Sequence, residues 1–342
     1  MIPAVSLFSG AGGLDYAFEI TGSVKTILCL ENSPDCLETL RRNQGKIDPQ
    51  TNIALLSEAR IVDADLEMAT AATLSRLAGC KPDLVYGGPP CQSFSVLGKR
   101  KGVRDKRGTL TSHFAELVCA IKPRGFLLEN VPGLLSIHGG SEMRKLCRRF
   151  HLAGYSVAHA VLCAADYGDP TSRKRLIMLG IRKPLVATLP KPTHAQTTFG
   201  GKANNLQEWI PCGTVIKRKD VFRGISNHTF VKHTEEVVER FSRLAFGERD
   251  EKRRRNRLDP QRPAFTLFAG GGRLPKQSRT HIHPYIHREL SPRECAALHG
   301  FPDWWEFAGP HDSVLQQVAN SVPTSMGSAM ANHLVALLKE KI

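Results

Sequence analysis

No stretch of the 342-residue chain approaches the run of about 20 apolar residues that a membrane span needs. The opening MIPAVSLFSGAGG has no basic start and reaches glycines too early for a secretory signal, so a chain kept inside the cell is expected. C-x-x-C is missing, and the nine cysteines stand singly and are odd in number. That argues against a disulfide framework and a zinc ribbon, and for a reduced compartment in which most thiols are small buried apolar groups; no metal site is expected. No internal repeat is present. Acidic residues are few, with 32 Asp and Glu against 47 Lys and Arg, a net of +15 and a pI near 9.6. The balance favours a polyanionic partner. With 41% apolar and 23% charged residues the chain can bury a proper core, and its length suggests about two domains.

Short apolar runs alternate with longer amphipathic segments over the first half. Strands are expected at 4–8, 24–30, 84–86, 125–128 and 176–181, most of them ending at a polar or glycine/proline cluster. This alternation predicts an α/β fold with a doubly wound, mostly parallel sheet. From about residue 183 proline, glycine and basic residues become denser. Residues 183–287 hold 20 Lys and Arg against 9 Asp and Glu, a net of +11, whereas the rest of the chain carries only +4. Such an asymmetry suits a separate nucleic-acid-binding lobe, with Lys252-Arg253-Arg254-Arg255 inside it. Helical character then returns. Ser291-Pro292-Arg293-Glu294 has a cap residue followed by proline, and 325–338 is an amphipathic helix.

Four constellations carry chemistry. Phe8-Ser9-Gly10-Ala11-Gly12-Gly13-Leu14-Asp15 follows the first strand, where glycines let a ligand approach the backbone. Asp15 stands where a dinucleotide fingerprint would have its third glycine, and Glu31, ending the next strand, is placed to accept from ribose hydroxyls. A nucleoside cofactor without a pyrophosphate is expected. Gly87-Gly88-Pro89-Pro90-Cys91-Gln92-Ser93 places a thiol on a rigid loop at a strand end, which suits a nucleophile. Glu129, within LENVPG, ends another strand. Arg173 and Arg175 alternate in DYGDPTSRKR and point the same way if that segment is extended.

The motifs FSGAGGLD, GGPPCQSFS, LENVPG, DYGDPTSRKR, RELSPRECAALHGFP and QVANSVP occur in that order. The chain thereby resembles the DNA cytosine-5 methyltransferases, prokaryotic restriction–modification type, over about 1–182 and 288–342. The resemblance implies a Rossmann-like methyltransferase fold in which 1–184 and 288–342 form one S-adenosylmethionine-dependent catalytic domain. Residues 185–287 would be a smaller inserted target recognition domain. It implies a thiolate, Cys91, adding to C6 of a cytosine flipped out of double-stranded DNA. Glu129 would manage the proton at N3, and Arg173 and Arg175 would position the base. Phe8, Gly10, Gly12, Gly13, Glu31, Asp65 (with Asp63 as competitor), Leu66, Pro90, Leu110 and Asn320 would hold S-adenosylmethionine. Ser93, Lys99, Arg100, Lys101, Arg104 and Arg273 would contact DNA, and the stretch 96–111 resembles the loop that closes over it. A bacterial, cytoplasmic, nucleoid-associated monomer protecting host DNA from a cognate restriction enzyme is the family expectation, and a solitary or phage-borne methylase would look alike in sequence. Four departures from the usual pattern are Thr171 for Gln, His299 for Gln, Ala319 for Gly and Ala64 before Asp65 where glycine is frequent. The alternatives are a tRNA cytosine-5 methyltransferase of the same fold, although the Cys-Phe-Thr tripeptide of that group is missing, and a catalytically silent DNA-binding homologue. A nicotinamide dehydrogenase is disfavoured by Asp15.

Overall fold

The computed structural model describes residues 1–90, 109–196, 205–268 and 280–340. Its centre is a seven-stranded sheet of β1 (Ile2–Leu7), β2 (Val24–Glu31), β3 (Arg60–Asp63), β4 (Leu84–Gly87), β5 (Gly125–Asn130), β6 (Tyr155–Cys163) and β7 (Lys174–Arg182), in the order β3-β2-β1-β4-β5-β7-β6. Only β7 runs against its neighbours, β5 and β6; the pairs from β3 to β5 are parallel. The α/β, mostly parallel, doubly wound architecture expected from the alternation is what the chain adopts.

Period-2 alternation sends each central strand's side chains into two cores. Val5, Val85, Phe126 and Leu128 face one side, packed by Phe114 and Val118 of α4 (Thr109–Ile121) and by Leu146 and Phe150 of α5 (Ser141–Leu152). Ala4, Leu84, Tyr86, Leu127 and Ile177 face the other. That side is covered by Met326, Met330 and Leu334 of α9 (Thr324–Lys339), which lies against α1 (Gly13–Glu19). Glycine makes this crossing close: a Cβ on Gly327 would stand 2.8 Å from Ala17 Cβ. The last helix thus packs beside the first, in a core that neither end completes alone.

Residues 205–268 and 280–287 form less regular structure. It includes α6 (Glu235–Ser242) and, whereas α2 (Pro34–Asn43) and α3 (Ala71–Ala78) belong to the first half of the chain, shares a third core with α7 (Pro292–Leu298) and α8 (His311–Asn320). Cys212, Ile216, Phe222, Leu258, Ala264 and Leu267 pack there with Phe301 and Trp305. The expected start of α7 is present as a full capping box, in which Ser291 Oγ accepts from Glu294 N and the Glu294 carboxylate accepts from Ser291 N. Of the eight cysteines described, five are buried.

Candidate active site

Winding reverses between β1 and β4. The chain proceeds outward from β1 through β2 to β3, then returns to lay β4 on the other side of β1. The carboxyl ends of β1 and β4 therefore border a crevice at the switch point, where open α/β sheets bind ligands. The glycine loop after Leu7 and Gly88-Pro89-Pro90 after Gly87 emerge side by side there, because Leu7 pairs with Gly87. A Cβ on Gly87 would lie 2.1 Å from the Leu7 carbonyl oxygen, so only glycine permits this approach.

Glu129 stands at the end of β5, next along the sheet. It lies opposite Ile177 of β7, so Arg175, two residues before Ile177, is its diagonal neighbour on the same face. Arg175 Nε donates to Glu129 Oε1 at 2.8 Å. Glu129 is 7% exposed. Burial pushes its pKa above the ordinary glutamate range, and Arg175 only partly counters this. Gly88 crosses directly over the carboxylate, where a Cβ would come within 2.6 Å of Glu129 Oε2. The next residue of β5, Asn130, uses its amide to fix the same loop. Its Nδ2 donates to Pro89 O at 3.1 Å and to Thr111 Oγ1 at 3.3 Å, while its Oδ1 accepts from Val131 N at 2.8 Å. The anchor of the loop that carries the thiol is thus tied to the strand that carries the carboxylate. Cys91 itself, with Ser93, Lys99, Arg100, Lys101, Arg104 and Arg273, lies outside the described residues.

Arg173 does not share Arg175's partner. It is completely buried, with Nη1 donating to Leu267 O at 3.2 Å and Nη2 to Ala319 O. The two arginines diverge because β7 begins at Lys174, and the residues before it pair with another segment. Thr171 bridges Ala264, and Ser172 N donates to Ala264 O at 2.8 Å.

On the other side of the crevice the three glycines differ. At Gly10 (φ 57°) nothing lies within 4 Å of where a Cβ would be, and its N–H donates to Glu31 Oε2 at 2.8 Å. At Gly12 a Cβ would meet the Trp305 ring at 2.8 Å, and at Gly13 the Val322 carbonyl at 3.0 Å. Gly10 faces open space, whereas Gly12 and Gly13 serve close packing of α1. Phe8 also takes a positive φ, 57°, as the chain leaves β1. Glu31 Oε1 accepts from Asn32 N and Ser33 N, both at 2.9 Å. With Gly10 that makes three donors against four carboxylate lone-pair sites. Asp63 pairs in register with Glu31, and Asp65 lies two residues on, exposed, accepting from Glu67 N at 3.0 Å. Leu66 is buried in the core beneath, Leu110 is half-buried in the first turn of α4, and Pro90 is exposed. Asn320 ends α8, exposed, just before Ser321 and Val322, which abut Gly13.

Sequence reasoning assigned no buried polar role to several groups, although it had named Asp15 and His299. Asp15, behind the glycine loop, accepts from Tyr86 Oη at 3.0 Å, and burial pushes it up to about 6. Asp169 accepts from Ser325 N at 3.1 Å and Met326 N at 2.8 Å, capping α9, and burial pushes it up to about 7. His299 contacts Ser321 Oγ through Nδ1 at 3.1 Å, and burial drives it down to about 3. Asn130 and Asp169 lay inside the quoted motifs, next to or near the residues singled out, so proximity was their only signal.

The basic segment 183–287 spends part of its charge on acids of this same chain. Lys252 pairs with Glu236 at 3.1 Å, Arg253 with Glu289 at 3.3 Å, and Arg240 with Asp250. At the return to α7, Arg288 holds Glu294 through two bonds of 2.7 Å.

The sequence matches the family model of the C-5 cytosine-specific DNA methylases from residue 2 to residue 336. The chain belongs to this family. As a C-5 cytosine-specific DNA methylase it is a DNA (cytosine-5-)-methyltransferase, and membership implies DNA as substrate and S-adenosylmethionine as methyl donor. Among its relatives are type II methyltransferases. M.MthTI of Methanothermobacter thermautotrophicus is 31% identical over 96% of this chain and 96% of that protein. M.FnuDI of Fusobacterium nucleatum is 29% identical over 98% of this chain and 95% of its own length. A crystal structure described as that of a DNA modification methyltransferase encoded within an E. coli prophage superposes with a TM-score of 0.79 at 25% identity, over 99% of this methylase and 100% of that chain. The S. pombe Dnmt2 methyltransferase shares the fold at a TM-score of 0.66 and 18% identity, over 99% and 100% of the two chains. The sheet of this methylase is accordingly the Rossmann-like methyltransferase sheet. No helix among the described residues is long and apolar enough to cross a membrane.

Proposed function

We propose that this methylase modifies cytosine at carbon 5 through a transient bond between Cys91 and C6 of a base flipped out of duplex DNA, and so protects DNA from a cognate restriction enzyme. The buried Glu129–Arg175 pair beneath Gly88 is the observation that carries the reading. Carbon 5 is a poor nucleophile until a thiolate adds at C6. The new S–C6 bond forms as the ring's π electrons move toward N3, and Glu129, whose burial favours the protonated carboxyl, supplies or holds the proton there. Arg175 orients that carboxyl and presents positive charge toward the electron-rich ring. After C5 has been methylated, loss of the C5 proton returns the electrons and breaks the S–C6 bond, which frees Cys91. A stacked, paired cytosine cannot reach these groups, hence the flip.

The crevice fits S-adenosylmethionine. Gly10 leaves backbone open to a ligand, and Glu31 keeps one acceptor site for a ribose hydroxyl beyond its three backbone donors. When bound, that cofactor supplies an electrophilic methyl carbon. Glu31, Phe8 and Asn320 would line its site, with Asp65 or Asp63 toward the adenine. Residues 185–287 would read the target sequence, with Arg273 among the contacts.

The test is bisulfite sequencing of DNA from a host expressing the wild type or Cys91→Ser. The wild type should convert one defined sequence to the protected form, and the variant none, while still binding duplex DNA. Duplex carrying 5-fluorocytosine at that site should become covalently attached to the wild type. Methylation by Cys91→Ser, or lack of the adduct during turnover, would refute the mechanism.

A further inference from the structure

We infer that Arg173 is a positioning residue that couples the DNA-recognition segment to the cofactor cleft, acting through Leu267 and Ala319 rather than on the base. The inference rests on the cleft and the DNA-reading segment proposed above. Residues 170–173 run beside 264–267. Ala264 N donates to Pro170 O at 2.9 Å, Ser172 N returns a bond to Ala264 O at 2.8 Å, and Ser172 Oγ adds another at 3.1 Å. At the end of this stitched pair the fully buried Arg173 side chain spans to α8, its two terminal nitrogens taking the carbonyls of Leu267 and Ala319.

The two carbonyls belong to different parts of the function. Leu267 lies in the strip of the basic segment that leads to Gly270-Gly271-Gly272-Arg273. Ala319 immediately precedes Asn320. The following Ser321 has its Cβ 3.2 Å from where a Cβ on Gly13 would lie, so this turn packs against the start of α1 and buttresses the glycine loop from behind. One planar group with five donors in a fixed fork therefore holds both positions at once. A buried guanidinium cannot give up either acceptor cheaply, and it cannot lose its proton. The placement of 267 that suits bound DNA and the placement of 319–321 that suits bound cofactor are thereby set together. Such coupling is reciprocal: each ligand tightens the other by the same factor. Arg175, two residues on, has the separate task of holding Glu129.

The experiment uses S-adenosylhomocysteine and a duplex carrying the site mapped by bisulfite sequencing. Calorimetry gives the S-adenosylhomocysteine affinity with and without saturating duplex for wild type, Arg173→Lys and Ser172→Ala. In the wild type, DNA should tighten binding about tenfold or more. In Arg173→Lys, whose ammonium lacks the fork, the factor should fall below about threefold, with the DNA-free affinity little changed. Ser172→Ala should keep the wild-type factor. If Arg173→Lys does not fold, hydrogen exchange on the wild type answers the same question. Duplex alone should slow exchange at 319–322, and S-adenosylhomocysteine alone should slow it at 264–268. A wild-type factor near one overturns the inference, as does an intact factor in Arg173→Lys with a lowered kcat, or exchange protection confined to each ligand's own side. A uniform loss of both affinities with the ratio preserved marks a merely structural role and also overturns it. Complete failure of the wild type to bind S-adenosylhomocysteine would overturn the cleft assignment itself, a result distinct from all of these.

Discussion

Replacing Glu129 by Gln separates the chemistry of the carboxylate from its place in the fold. At 2.8 Å the pair with Arg175 has a gross attraction of about 6 kcal/mol at an effective dielectric constant of about 20. Both side chains are nearly out of water, and burial outweighs the arginine, since the carboxyl remains above its ordinary pKa. The charged pair therefore returns less than its desolvation costs. An amide of the same shape, still accepting from Arg175 Nε, should leave stability within about 1 kcal/mol at neutral pH. Turnover should respond differently, because the amide has no acidic proton for N3. A loss of about 10²- to 10⁴-fold is expected, equivalent to about 2.7–5.4 kcal/mol of barrier. Transfer of labelled methyl to duplex DNA at saturation gives the first quantity, and urea unfolding of the same preparations gives the second. A raised folded-state pKa means that the native chain holds a proton which the unfolded chain releases. The contribution of Glu129 is then complete below the ordinary glutamate range and fades as pH climbs through the folded value, so wild type should lose ground to Glu129→Gln on raising the pH. Turnover within about threefold of wild type, or a stability loss beyond about 3 kcal/mol, would refute the reasoning.

Gly88→Ala places a methyl 2.6 Å from Glu129 Oε2 and should cost about 1–3 kcal/mol while lowering turnover, because the same chain leads to Cys91. Unchanged melting and turnover would show that the loop yields freely. Asp169, pushed up to about 7, should make stability decline as pH rises from the ordinary aspartate range through about 7. Asp169→Asn should flatten that part of the melting-temperature profile, and profiles that stay parallel would contradict the proposed titration.

All five strands expected from the sequence are present, and the three plainest are buried on both faces. Residues 84–86, 125–128 and 176–181 are unbroken apolar runs because helices cover both sides of them. β3 and β6 were not read. They are the two edges, and Arg60, Asp63 and His159 on them look to solvent, which dilutes the apolar signal. The capping box at Ser291 was visible because it is local, and α9 departs from the expected 325–338 by one residue at each end. Nothing local says which of three glycines faces a ligand. That depends on Trp305 and Val322, which arrive from nearly 300 residues away. Alternation suggested that the two arginines point the same way, and the structure sends them to different partners, because β7 begins only at Lys174 and the residues before it pair with Ala264. The run at Lys252–Arg255 read as phosphate-seeking charge, yet Lys252 and Arg253 face acids distant in sequence.

The covering of the sheet by α9 has a consequence for biosynthesis. Tyr86, Leu127 and Ile177 find their cover only when Met326, Met330 and Leu334 have been made, so one greasy side of the nascent sheet must wait through most of translation. Until then the ribosome carries an unfinished sandwich whose sticky surface invites chaperones or self-association. A premature stop anywhere before that helix should yield aggregates rather than a smaller working enzyme.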